Sequence, residues 1–564
     1  MKLRLIALLS VLLSLLVFAK PNHQNQTYTY QELIAAYEEL ANQHSQAHLY
    51  QIGKTDSGKP LHLFLLGADS SSVFQDNRVK IFINNGIHPG EPCGIDASLA
   101  LLSSFISGES TIPDNVVLAV IPVYNVGGML NRSAYSRANQ QGPEEYGFRG
   151  NARNLDLNRD FIKMDSENAK AFARIFHLVD PHVLIDTHTS NGADYQYTMT
   201  LLPTAAEQLE SEQQHFFRED FIPELYTRME DAGELSSPYV YTMGKTPESG
   251  IKAYYDSPRY TAGYASLFHC IGITSEAHML KPYKNRVEAT LTLLKQVVNY
   301  SSEKADIIID LREQARAKSL EDDHPVSLTL DTTQFKQIDF HGFEHRIIES
   351  EVTGLDRLKY AQDSPLSFKT NFYNRFHISE SERVASLYII PQAWKAVIER
   401  LRCNEVKLVP LLNDTVMKVK TYYVNRNATF ESPYEGHFYH KEIELMDTVI
   451  DKQFFAGDLF VYPDEYTGKY LAHTLYPKSY DSFLRWNFFD EIFQQKEWFS
   501  SYVFEDIATD LLQEDDELRQ QFEQKKANDE AFRNNSFQQL YFIYKHSPYY
   551  ESTHRLYPVF RIED

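Results

Sequence analysis

The stretch Asn84-Asn85-Gly86-Ile87-His88-Pro89-Gly90-Glu91 sets a histidine and a carboxylate three positions apart in a turn interrupted by glycine and proline. Imidazole nitrogen and carboxylate oxygen are both good zinc ligands, and a catalytic zinc site takes three protein ligands with a fourth position open to water. The pair therefore asks for a third ligand, a proton acceptor and a cation to meet developing negative charge. Spacing alone is weak evidence. Placement strengthens it, because Val79 to Ile83 just upstream reads as a buried strand, and α/β sheets hold ligands at strand ends.

The same logic finds His188 in Ile185-Asp186-Thr187-His188, directly after a second buried run, whereas His182 starts that run and belongs to the sheet's other edge. A third apolar run, Ile271 to Ser275, delivers Glu276, a carboxylate placed to accept a proton from metal-bound water; His278, two residues on, is the alternative. Between these ligands lies an arginine- and asparagine-rich loop from Gly147 to Phe161 containing Arg149, Arg153, Asn158 and Arg159. Arginine's planar, permanently charged fork suits a carboxylate or an oxyanion.

Taken in order, His88-Pro89-Gly90-Glu91, Arg149-Gly150-Asn151-Ala152-Arg153 running into Asp156-Leu157-Asn158-Arg159, Asp186-Thr187-His188 and Glu276 resemble the zinc metallocarboxypeptidases of the carboxypeptidase A type, over roughly residues 25 to 305. The resemblance implies one Zn2+ per chain held by His88, Glu91 and His188, with Asp156 orienting His88. It implies Glu276 as the base acting on zinc-bound water, Arg149 as the oxyanion stabiliser, and Asn158 with Arg159 as the clamp on a peptide's free C-terminal carboxylate. The fold it implies is α/β, a mixed eight-stranded sheet with helices on both faces. Two assignments stay open. Arg137 sits in a similar Arg-Ala-Asn setting and is a second oxyanion candidate, and Tyr254 is favoured among Tyr254, Tyr255, Tyr260 and Tyr264 as the family's mobile tyrosine. Arg259 would line the side-chain pocket and favour an acidic substrate residue, or else be a surface charge.

A formal net charge of -22 over 564 residues argues against a nucleic-acid partner, which would need a basic surface. Lys2 and Arg4 precede an apolar run from Leu5 to Phe18, with Val17 and Ala19 fitting cleavage before Lys20, the pattern of a signal peptide; export, secreted or periplasmic, is expected, with no stable membrane insertion after cleavage. Three cysteines, Cys93, Cys270 and Cys403, exclude a disulfide framework; at most one pair could form, between Cys93 and Cys270, and two free buried thiols are the expected state.

The elements that must position these residues alternate as strands and helices. Strands are expected over His48 to Ile52, Leu61 to Leu66, Val79 to Ile83, Val116 to Val123, His182 to Asp186 and Ile271 to Ser275. Helices are expected over Gln31 to Gln43, Gly94 to Phe105, Ala169 to Val179 and Arg286 to Tyr300. The organisation is a leader over 1–19, a catalytic domain over 20–305, a charged connector over 306–328 and a β-rich ancillary region over 329–564. That last region has strands at Val406 to Leu412 and Val416 to Tyr423, a break near 425–435 and a helix over Leu511 to Phe532. Two rival functions remain: an amidase or deacylase acting on cell-wall peptides or acylated amino acids, and an inactive scaffold with a binding C-terminal module.

Overall fold

The computed structural model describes residues 25–562, so the leader expected over 1–19 lies outside the described residues. Eight strands form one mixed sheet: Ala47–Lys54 (β1), Pro60–Leu66 (β2), Val79–Asn85 (β3), Val116–Ile121 (β4), Val183–Ser190 (β5), Met199–Pro203 (β6), Ser236–Pro238 (β7) and Ile271–His278 (β8), in the order β1-β2-β4-β3-β5-β8-β6-β7. The central four, β4, β3, β5 and β8, run parallel. Every residue of β3, β4 and β5 is buried, which is why these stretches read as continuous apolar runs.

Alternation along β3 divides the core between the two faces. Ile81 and Ile83 pack with helices Tyr30–Gln43 (α1), Cys93–Ile106 (α2), Tyr283–Glu303 and Ala305–Lys318, while Phe82 faces helix Glu167–Val179. Helix α1 begins at a capping box, the Thr29 side chain accepting from Glu32 N and the Glu32 carboxylate accepting from Thr29 N. Gly94, in the first turn of α2, lies so close to β5 that a Cβ there would fall 1.9 Å from Thr187 Oγ1. Strand β5 and this helix therefore meet side chain to backbone with no space left.

The C-terminal half shares this core. Phe172, Phe176, Tyr264 and Phe268 pack in one cluster with Leu401, Tyr470, Trp486 and Tyr557. In the expected connector, Ala305–Lys318 is helical, with Ile308 buried and Arg312 paired to Asp180 at 2.6 Å. Beyond it a ribbon of Lys336–Glu349 and Asp356–Tyr373 pairs with the short strand Ile251–Lys252 of the first half. A second ribbon, Thr415–Thr429 with His440–Phe454, forms one edge of a six-stranded sheet, so residues 425–435 are a strand end and a hairpin turn. The helix expected over Leu511 to Phe532 is instead three: Ser501–Glu514, Asp516–Asn528 and Glu530–Arg533. Asp515 and Asp529 break it, each extended and each capping the following helix with its side chain. No helix among the described residues is long and apolar enough to cross a membrane, and Cys93, Cys270 and Cys403 are all free thiols.

Replacing Gly94 by alanine should lower the melting temperature measurably, since overpacking at a closed contact costs about 1–3 kcal/mol. Thermal unfolding of the variant checks this, and an unchanged transition would mean that α2 and β5 separate easily.

Candidate active site

Gly86 lets β3 end in a reversal: its φ of 65° is left-handed, and Tyr124 N and Asn125 N close on the carbonyls of Asn85 and Gly86 at 2.7 and 3.0 Å. The turn that follows is closed by Glu91 N on the His88 carbonyl at 2.8 Å, and it carries His88 and Glu91 over the end of β5. His188 lies within β5, not after it, and Glu276 lies within β8 directly opposite His188 in the parallel register. Both strands run further than the apolar residues alone suggest, because polar residues continue the pairing to Ser190 and His278.

The two histidines present matching faces. His88 donates Nε2–H to Asp156 Oδ1 at 2.8 Å, and His188 donates Nε2–H to Asp186 Oδ2 at 2.9 Å. That turns both Nδ1 atoms inward, 3.3 and 3.0 Å from the two oxygens of Glu91. All three side chains are buried, and their donor atoms lie within 4.8 Å of one another. Burial alone would raise the Glu91 carboxyl; Arg137, His88 and His188 overcome it and hold it well below the carboxylate range. Burial works against charge on His188 too, but Asp186 and Glu91 raise it well above its ordinary value.

Around this triangle is a cavity of about 410 Å³ lined by Arg137, Arg149, Asn158, Arg159, Tyr254 and Glu276 among others. Burial pushes Glu276 up to about 7, with Glu91 adding to the rise and His188 and Arg137 opposing it. Arg149 places Nε and Nη2 on Asp156 Oδ2 at 3.0 and 2.8 Å and leaves 47% of its side chain exposed. Arg137 rests one guanidinium nitrogen on Glu91 and the other on the Thr189 carbonyl at 3.1 Å. Arg159 is held by neutral groups, donating Nε–H to Tyr434 Oη at 2.9 Å and Nη1–H to the Asn158 carbonyl at 2.7 Å, with its guanidinium 4.5 Å from the Tyr260 ring centroid. Asn158 Nδ2 is 3.5 Å from His188 Nε2, and the Tyr254 hydroxyl meets that of Tyr260.

Two sequence candidates lie elsewhere. Arg259 does not line the cavity: its Nε donates to Asp481 Oδ1 at 2.8 Å, and Tyr439, Tyr480 and Trp486 surround its guanidinium at 4.8–5.0 Å. A buried carboxylate from the C-terminal half has captured it. His278 is fully buried behind the cavity, stacked on Tyr195 and 3.3 Å from Asp194 Oδ1. Conversely, the partner of His188 is Asp186, which the sequence reading quoted without giving it a role; two positions apart on a strand, both side chains share a face, and that spacing is the signal. Asp256 also lines the cavity, its carboxyl raised to about 8 by burial and by Asp186. Tyr434 and Glu435 touch Arg159 and Asp156 from nearly three hundred positions away, with no local signal in the chain.

A family model described as zinc carboxypeptidase matches residues 33–177. The chain is 23% identical over 425 residues to "Carboxypeptidase 2" of Trichophyton rubrum, covering 70% of this chain and 72% of that protein. It is 22% identical over 455 residues to "Carboxypeptidase 2" of Trichophyton equinum, at 76% and 78% coverage. Among solved structures, a metallo-carboxypeptidase from Burkholderia cenocepacia aligns over 49% of this chain and 70% of its own, at 17% identity and a TM-score of 0.36.

Because each histidine leans on one carboxylate, Asp156→Asn and Asp186→Asn should each weaken zinc binding by about 10–100-fold. Competition with a chelating dye measures this, and wild-type affinity in both variants would show that the rings hold their orientation unaided.

Proposed function

We propose that this chain, which belongs to the zinc carboxypeptidase family, is an exported metallocarboxypeptidase that removes residues from the free C-terminus of peptides with one zinc ion and a glutamate base. The observation that carries the reading is the convergence of His88 Nδ1, His188 Nδ1 and the Glu91 carboxylate, with an acid behind each ring. Two imidazole nitrogens and one carboxylate are the donor set of a catalytic zinc site, so the residues fit the ion. Bound there, zinc supplies a Lewis acid for the scissile carbonyl and for water.

The chain's own residues then divide the work. Glu276, facing His188 across β5 and β8, takes a proton from the attacking water, and burial keeps it basic enough to accept one. Water oxygen bonds to the carbonyl carbon, the C–N bond breaks, and Glu276 hands its proton to the departing amine. Arg149 is tied bidentately to Asp156 and braces the support of His88. Arg137, with one guanidinium nitrogen on Glu91 and the other on the Thr189 carbonyl, is the better placed of the two candidates to stabilise the oxyanion, since Arg149 is tied to Asp156. Arg159 and Asn158 hold the terminal carboxylate, and Tyr254 covers the cleft beside them. The leader-like residues 1–19 support export.

Glu276→Gln should cut kcat by roughly 10²–10⁴-fold or more while zinc content stays at one per chain. Arg137→Gln should cost about 10²–10³ in kcat, more than Arg149→Gln does. Paired peptides with free and amidated C-termini decide the reaction class: a strong preference for the free acid, lost in Arg159→Ala, is expected. Equal hydrolysis of both forms would move the protein to the amidase or deacylase class.

A further inference from the structure

The hairpin joining Thr415–Thr429 to His440–Phe454 turns at Tyr434-Glu435-Gly436-His437, where Tyr434 N donates to the His437 carbonyl at 2.8 Å and His437 N to the Tyr434 carbonyl at 3.1 Å. Both central residues have positive φ, 48° at Glu435 and 86° at Gly436, as a two-residue turn of this twist demands. Glycine takes that conformation freely, whereas a glutamate there is strained. The strained residue is used. Glu435 Oε2 accepts the backbone N–H of Asp156 at 2.8 Å, and Asp156 is the residue whose carboxylate fixes His88.

Its neighbour Tyr434 accepts from Arg159 Nε at 2.9 Å. The Tyr434 ring is stacked on Trp486, centroids 6.0 Å apart at 18°, with the captured Arg259 guanidinium 5.7 Å from its centroid. The turn is anchored on its other flank by His437 Nε2, 2.7 Å from Asp165 Oδ2, a carboxylate that Lys163 and Arg400 also grip. Tyr434 is therefore rigid where it meets Arg159.

We infer that the Tyr434–His437 turn of the C-terminal region is a positioning element of the catalytic cleft, Tyr434 aiming Arg159 at the substrate carboxylate and Glu435 holding Asp156 beneath His88. The Arg159 arm rests on the carboxypeptidase reading; the Asp156 arm does not. Neither residue meets the reacting atoms, so both act through another side chain. The arrangement also gives the C-terminal half a task in the reaction beyond covering the sheet.

The test uses the full chain. Tyr434→Phe keeps the ring and removes the acceptor: KM for free-acid peptides should rise about tenfold, as for loss of a hydrogen bond to a charged group. With it, kcat and Tm should hold, and the preference for free acid over amide should shrink by the same factor. Glu435→Gly relaxes the turn and removes the acceptor, so Tm should hold or rise while zinc binds about tenfold more weakly in chelator competition. Glu435→Gln, which keeps an acceptor oxygen, should retain wild-type zinc affinity. Unchanged KM in Tyr434→Phe, or losses of kcat and Tm alongside it, would overturn the first arm; unchanged zinc affinity in Glu435→Gly would overturn the second. The zinc measurement needs no substrate, so it stands even if wild-type protein fails to cleave free-acid peptides, a result that would sink the carboxypeptidase reading by itself.

Discussion

A histidine offers its inner ring nitrogen to a metal only when the outer nitrogen carries the proton and has somewhere to donate it. His88 and His188 meet that condition with Asp156 and Asp186, from a loop and from the same strand respectively. The parallel register of β3, β5 and β8 supplies the rest, because Asn84 lies level with Asp186 and His188 lies level with Glu276. Three strand ends one sheet-spacing apart bring His188, Asp186 and Glu276 close to His88 and Glu91. Were the register of β8 to slip by one residue, Glu276 would face the opposite side of the sheet, away from His188.

Crowding acids into a buried space is costly unless each charge is met. Glu91 and Asp156 are met, by Arg137 with the two histidines and by His88 with Arg159 and Arg149, and both stay well below the carboxylate range. Glu276 and Asp256 are met less well: burial and Glu91 leave Glu276 at about 7, and burial and Asp186 leave Asp256 at about 8. A buried carboxylate that can gain and lose a proton in neutral solution has the property a general base needs. Electrostatics thus separates Glu91 and Asp156, held charged by their cationic neighbours, from Glu276 and Asp256, which burial raises.

Much of the site was legible because its residues sit at the ends of strongly apolar runs. His88, Glu91, His188 and Glu276 each follow or lie in such a segment, and the eight-stranded sheet with helices on both faces is the fold expected. His188 and Glu276 come to the cavity through pairing between β5 and β8. What was not legible depends on tertiary contact. Arg259 reads as a pocket residue until Asp481 is seen 222 positions away, and the break of the late helix turns on whether Asp515 and Asp529 cap or continue it. The packing of the C-terminal half onto Phe172 and Tyr264 likewise has no local pattern, since aromatic runs there read equally well as a separate module.

The contrast between the two arginines explains how a cation can be buried yet left available. Arg259 has a carboxylate at 2.8 Å and a ring of aromatic faces, so its charge is spent on structure. Arg159 is nearly as enclosed, but its nearest carboxylate oxygen is 3.8 Å away, and its hydrogen bonds go to a phenol and a backbone carbonyl. Neutral acceptors orient a guanidinium without cancelling its charge, and a tyrosine face favours the cation while leaving the fork's edge uncovered. A carboxylate in place of Tyr434 would hold Arg159 more tightly and blunt its attraction for any other anion. Supplying that phenol from a hairpin rooted in the shared core fixes Arg159 in direction while its charge stays turned toward the cleft.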